Sequence, residues 1–146
     1  MALTKATHRM TNGASVNVKD YGAVGDGVTD DHTAILNAWT YCLANGKDMY
    51  FPSGTYVSET YSMPMGRIDG SAPSSLLDCK NITVFGDGRS TILKTKSALG
   101  ADVIQINGAK NFHVKDLSIT AELTGSAGAG SNAVSFTGGG DSITLE

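Results

Sequence analysis

The run VKDYGAVGDGVTDDHTAIL, Val18 to Leu36, holds four aspartates and three glycines before it turns apolar. Asp20, Asp26, Asp30 and Asp31 are hard oxygen ligands of the kind that bind Ca²⁺. Their spacing fits no EF-hand loop, because Gly27 and Val28 follow Asp26 where further Asx ligands are needed. Gly22, Gly25 and Gly27 suggest a phosphate loop, but no Lys-Ser/Thr ending follows. Their order also differs from the dinucleotide fingerprint, and no βαβ unit follows. The remaining reading is structural. The glycines supply backbone angles that other residues avoid, and the aspartates cap turns and a helix. No cofactor and no metal are expected.

Glycoside cleavage needs two carboxyl groups, ~5–5.5 Å apart for retention and ~6.5–9.5 Å for inversion. Strands stacked ~4.8 Å apart would bring acids of one column to nearly those separations. Aligning the chain on its internal repeat (below) sets Asp116 against Gly86, Asp87 against Leu117, Asp78 against Gly108 and Asp141 against Lys110. No column carries a carboxylate pair, so catalytic residues are left unassigned. Acids from neighbouring faces or from another subunit are still able to meet. His8, His32 and His113 have no Cys or His at ligand spacing and read as surface residues. Tyr50, Tyr56 and Tyr61 are candidates for stacking on sugars, although strand tyrosines more commonly pack. Cys42 and Cys79 are too few for a disulfide framework and read as buried free thiols.

The elements that must position these residues follow from periodicity. VNVKDYGAV alternates and reads as a short strand. A helix follows, capped by Thr29 or Asp30, with Asp30 and Asp31 at the positive end of its dipole. Ile35, Ala38, Trp39, Cys42 and Leu43 form its apolar stripe, and Asn45-Gly46 stops it after roughly 24 Å. DMYFPSGTYVSETYSM reads as two short strands about a Pro-Ser-Gly turn, and MPMGRIDGSAPSS as a loop.

Three segments then resemble one another: CKNITVFGDG from Cys79, AKNFHVKDLS from Ala109 and GDSITLE from Gly140. Ile82, Phe112 and Ile143 share a column, as do Val84, Val114 and Leu145, at offsets of 30 and 31 residues. SLLD, VIQI and AVSF lie a few residues upstream of each copy. Several short strands per period with no helix between them indicate a solenoid, and here a parallel β-helix. A β-sandwich would not require the same side chains to recur in register. The helix before the first rung has the shape of a lid over the exposed strand edges and bore. The chain stops inside the third copy, which suggests a truncated piece of a longer protein or completion by another chain.

Composition agrees. Charged residues are 17%, glycines number 18, and Thr, Ser, Val and Ile are plentiful, as in an all-β chain with many turns. A net charge of −3 argues against nucleic acid. No apolar run approaches ~18 residues, so no membrane insertion is expected. The N-terminal residues show no apolar signal region.

The segment VNVKDYGAVGDGVTDDHTAILNAW, followed by MYFPSGTYV and by ITVFGDGRSTIL, resembles the opening of pectate-lyase-like β-helix proteins. Together with the residues before it, LTKATHRMTNG, it resembles bacteriophage tailspikes of that superfamily. The resemblance implies a right-handed parallel β-helix with an N-terminal amphipathic capping helix and a short neck. It divides the chain into a neck at 1–14, an opening strand and capping helix at 15–46, and first rungs at 47–146. Gly22, Gly25, Asp26, Gly27, Asp30, Asp31 and Trp39 become a structural motif. The resemblance also implies a homotrimer on the virion tail, made in the host cytoplasm and joined to other phage tail proteins. Its partner outside the virion would be bacterial capsular polysaccharide or lipopolysaccharide. The full-length protein would recognise that polymer and degrade it by hydrolysis or elimination, with this chain mainly structural. The competing reading is a lyase or hydrolase complete in these 146 residues.

Overall fold

The computed structural model describes residues 15–59, 80–97, 104–107, 110–123, 134–137 and 141–146. The strands are β1 (Val16–Asn17), β2 (Asp26–Asp30), β3 (Met49–Phe51), β4 (Gly54–Ser58), β5 (Lys80–Gly86) and β6 (Thr91–Ser97). After them come β7 (Ile104–Asn107), β8 (Lys110–Lys115), β9 (Ser118–Leu123), β10 (Val134–Thr137) and β11 (Asp141–Leu145). The helix α1 spans His32–Asn45. Every strand pairing is parallel. The first sheet runs β1-β3-β5-β8-β11, the second β2-β4-β6-β9, and the third joins β7 to β10. β7, β8 and β9 thus form one coil with a strand in each sheet, and β10 and β11 begin the next. The architecture is a parallel β-helix.

The repeat read from the sequence is the register of the first sheet. Ile82 pairs with Phe112 and Phe112 with Ile143, and Val84 with Val114 and Val114 with Leu145. Ile104–Asn107 and Val134–Thr137 also pair, with Ile104 opposite Val134. SLLD, Tyr61, Cys79, His8 and the 1–14 neck lie outside the described residues. Ile82, Val84, Phe112 and Val114 point into the bore, where Leu93 from β6 and Ile104 from β7 meet them. Asn81 and Asn111, at the start of this column, both have left-handed backbone, with φ of 57° and 52°. Asn is one of the few residues that tolerates that region. The Asn111 amide donates to the Asn81 carbonyl oxygen at 2.8 Å, linking two coils at their corner.

Three expectations are corrected. VNVKDYGAV is not one strand: after the two residues of β1 the chain enters a 3₁₀ turn at Val18–Tyr21. The cause is local, since Asn17 accepts a bond from the Lys19 N–H at 3.0 Å and bends the chain there. The Asp-rich corner is not simply a turn, because Asp26–Asp30 forms β2 and pairs irregularly with β4. The helix starts later than expected. Asp31 holds the cap position, and its carboxylate makes no capping bond to the helix. The Thr29 hydroxyl donates to Asp26 instead.

Ile35, Ala38, Trp39 and Cys42 of α1 are fully buried and belong to the same apolar cluster as Val16, Val18, Met49 and Phe51. Trp39 lies edge-on to Phe112 of β8, with ring centroids 6.0 Å apart. Its indole N–H is buried without a hydrogen-bond partner among the described residues.

Candidate functional site

The aspartates that look reactive in the sequence are occupied by backbone. Asp31 is 1% exposed, and its carboxylate accepts from the N–H groups of Val24 (2.6 Å), Gly25 (3.2 Å) and Val57 (3.3 Å). Asp26 accepts from the N–H groups of Val28 (2.9 Å) and Thr29 (2.7 Å). Asp30 accepts from His32 N–H at 3.1 Å and Glu59 N–H at 3.3 Å. Three carboxylates therefore take seven backbone donors, at the point where β2 forms the edge of its sheet and α1 begins. The bond from the Thr29 N–H, with those from Val28 and the Thr29 hydroxyl, holds the Asp26 carboxyl below its ordinary range. An unpaired strand edge with free donors invites association, and Asp26 uses the Val28 and Thr29 donors of β2 internally.

The glycines of the corner belong to the same construction. Gly25 has φ of +71°, and a Cβ there would lie 2.9 Å from the Tyr56 ring. Tyr56 is fully buried and packs, as strand tyrosines commonly do, and its hydroxyl donates to the Pro52 carbonyl at 2.8 Å. Trp39, the last member of the motif, is core. His32 is not a plain surface residue: it is half-buried, with Nδ1 2.9 Å from the Ser58 hydroxyl. Ser58 is itself buried, so this pair does not expose a nucleophile. His113 is half-buried in the column next to Thr83. Burial pushes the Cys42 thiol up to about 12, which keeps it from acting as a thiolate at neutral pH. No cluster of three or more His, Cys, Asp or Glu suited to a metal occurs among the described residues.

A second polar group is invisible in the repeat. The Tyr50 hydroxyl donates to both oxygens of Asp87, at 2.8 and 3.0 Å. The Ser53 N–H and hydroxyl donate to Asp87 Oδ2 at 2.9 and 3.1 Å. The Ser53 and Ser90 hydroxyls are 2.9 Å apart. Burial tends to raise the Asp87 carboxyl, but the bonds from Tyr50 and Ser53 outweigh it and hold the group below its ordinary range. Burial and the Asp87 bond push the Tyr50 phenol up to about 12. Tyr50 is opposite Phe85 in the register, a separation of 35 residues, so a search at 30 places Asp87 against Leu117 and misses the group. On the outer face of the second sheet, Lys94 pairs with Glu122 and Lys96 with Glu59 at 3.6 Å. No two carboxylates face each other across a column among the described residues.

Residues 15–128 match the family described as rhamnogalacturonase A/epimerase, pectate lyase-like. The chain belongs to this pectate-lyase-like family. Among its relatives, rhamnogalacturonase A of Aspergillus niger is 35% identical over 66% of this chain and 20% of its own length. The tail spike protein of Shigella phage Sf6 is 28% identical over 69% of this chain and 15% of its own length. The chain thus spans about a fifth or less of the curated pectate-lyase-like proteins it matches. The solved structure of ORF18 of Geobacillus virus E2 superposes with a TM-score of 0.52 at 28% identity, over 72% of this chain and 20% of that one. A mannuronan C-5 epimerase A-module of Azotobacter vinelandii superposes with a TM-score of 0.59 at 24% identity, over 90% of this chain and 36% of that module. The latter likeness speaks for the pectate-lyase-like fold alone.

Proposed function

We propose that this chain is the virion-proximal part of a phage tailspike whose full-length form recognises and degrades bacterial surface polysaccharide. In this reading the chain is mainly structural. Residues 1–14 form a neck, 15–46 the opening strand and capping helix, and 47–146 the first coils. Three such chains associate on the tail, alongside other tail proteins, and the distal part meets capsular polysaccharide or lipopolysaccharide.

The observation that carries the structural role is the use of Asp26, Asp30 and Asp31 to hold seven backbone N–H groups. Carboxylates so engaged hold a corner in place and are poorly suited to protonating a glycosidic oxygen. α1 supports the capping role, because its buried face joins the core cluster and sends Trp39 to Phe112. The likeness to a tail spike protein and to a phage open reading frame favours a virion over a secreted enzyme.

Native mass measured at several concentrations tests the association. A trimer is expected, and a strict monomer of the full-length protein contradicts the reading. Incubating this chain with capsular and lipopolysaccharide preparations tests its chemistry. No release of reducing ends or unsaturated uronic acid is expected, and such release would favour a self-contained lyase or hydrolase.

A further inference from the structure

We propose that Asn45 is a modification site, at which the Gly46 nitrogen displaces the side-chain amide, and that the last turn of α1 gates the reaction and is loosened by its product. Asn is thermolabile, and glycine is the follower that leaves its own nitrogen least crowded. Asn-Gly occurs at 12–13, 45–46 and 107–108, and the second pair alone lies wholly among the described residues. Asn45 is exposed and closes α1. A Cβ placed on Gly46 would meet no described atom within 4 Å beyond its chain neighbours, so this joint is open on that side.

The step balances with water as the co-reactant. The Gly46 amide loses its proton, and its nitrogen attacks Asn45 Cγ. A new N–Cγ bond closes a succinimide ring as the Cγ–Nδ2 bond breaks. The leaving nitrogen takes up a proton, equal to the one lost, and departs as ammonia. Water then opens the ring at either carbonyl, giving aspartate or isoaspartate.

The folded geometry keeps the reacting groups apart. The Asn45 Nδ2 donates to the Tyr41 carbonyl at 2.9 Å, which draws Cγ back over the preceding turn and away from Gly46. The Gly46 N–H donates to the Cys42 carbonyl, and the Lys47 N–H donates to the same oxygen at 3.0 Å. Gly46 has φ of 58° and ψ of 47°, a left-handed cap that directs both donors there. Ring closure therefore requires the bonds to Tyr41 and Cys42 to open together. A helix end opens locally at much lower cost than the whole fold, so the reaction has a route that does not pass through unfolding.

The product does not restore the turn. A carboxylate at 45 has no donor for the Tyr41 carbonyl, and it stands at the negative end of the helix dipole. Isoaspartate also adds a methylene to the backbone between α1 and β3.

The test is incubation of the whole chain in mildly alkaline buffer, native and in denaturant, with peptide mapping by mass spectrometry of the amide-to-acid conversion at Asn45. Conversion is expected in the native chain, at a rate about tenfold or more below that in denaturant. Ala44→Gly, at an exposed position in the same turn, weakens the helix locally and should speed native conversion about threefold, leaving the denatured rate unchanged. Melting curves check that this variant stays folded, and the native-to-denatured ratio of the parent carries the test without it. Asn45→Asp, the product itself, should quicken amide exchange at Gly46 and Lys47. Absence of native conversion, equal rates in buffer and denaturant, a native rate that ignores Ala44→Gly, or unaltered exchange in Asn45→Asp overturns the proposal.

Discussion

Asp31 and Val57 hold each other through both ends of one interaction. The Asp31 N–H donates to the Val57 carbonyl at 2.8 Å, and the Asp31 carboxylate accepts from the Val57 N–H at 3.3 Å. The residue that opens α1 is thereby fastened to the middle of β4. The same carboxylate reaches back to Val24 and Gly25, so helix, corner and strand share one buried anion.

Removing that anion should be costly. A buried donor left without a partner costs about 1–3 kcal/mol, and Asp31→Ala leaves the buried Val57 N–H and the part-buried Val24 and Gly25 N–H groups, partly relieved by relaxation. We expect a loss of about 3 kcal/mol by chemical denaturation. Asp30→Ala, at an exposed position with two longer bonds, should lose about 1 kcal/mol. Equal effects for the two variants would contradict the assignment of Asp31 as the shared anchor.

Two glycines are set by close approach. Gly25→Ala meets the Tyr56 ring and a left-handed backbone together, and should lose about 3 kcal/mol. At Gly86, an added Cβ would lie 2.6 Å from the Thr91 side chain and 2.7 Å from the Asp116 carbonyl. Gly86→Ala should lose about 2 kcal/mol through packing alone. A melting temperature unchanged in either variant would show that the coils have more room there than these distances allow.

Stability should fall on the acid side. The carboxyls of Asp26, Asp87 and Glu122 are each held below their ordinary range in the folded chain. A depressed folded value means that the stabilisation is present above the unfolded pKa, about 4, and is lost as pH falls through the lower folded value. Melting temperature should therefore drop from about pH 5 downward. Asp87→Asn should flatten that slope, and an unaltered slope would remove Asp87 from the account.

Cys42 should resist thiol reagents in the folded state. Its thiol is buried and raised to about 12, and its Sγ lies 3.7 Å from the Asp48 carbonyl. In a Cys79→Ser background, labelling should be slow in buffer and fast in denaturant. Rapid native labelling would mean that α1 opens readily from the core.

The legible parts of the sequence were those governed by repetition. Ile82, Phe112 and Ile143 lie in register because a solenoid turns equal chain lengths into equal positions, so spacing alone located the bore. The helix stop at Asn45-Gly46 was legible because it is local. The helix start was not, because Asp31 is committed to Val24, Gly25 and Val57, which no local pattern reveals. Packing of Tyr56 was the commoner expectation for a strand tyrosine, but its partner was not legible: Gly25 leaves the space into which the ring packs. The Tyr50–Asp87 group was hidden because β3 and β5 pair at a separation of 35 residues where the later coils repeat at 30, so its partners fall out of phase.

The most direct test of the corner is amide hydrogen exchange, read residue by residue, in the parent chain and in Asp26→Ala and Asp31→Ala. If these carboxylates serve to hold backbone donors, Asp31→Ala should remove protection at Val24, Gly25 and Val57 while sparing Val28 and Thr29. Asp26→Ala should do the reverse. Unchanged protection at those five amides in both variants would contradict the structural role and return the aspartates to the list of candidates for chemistry.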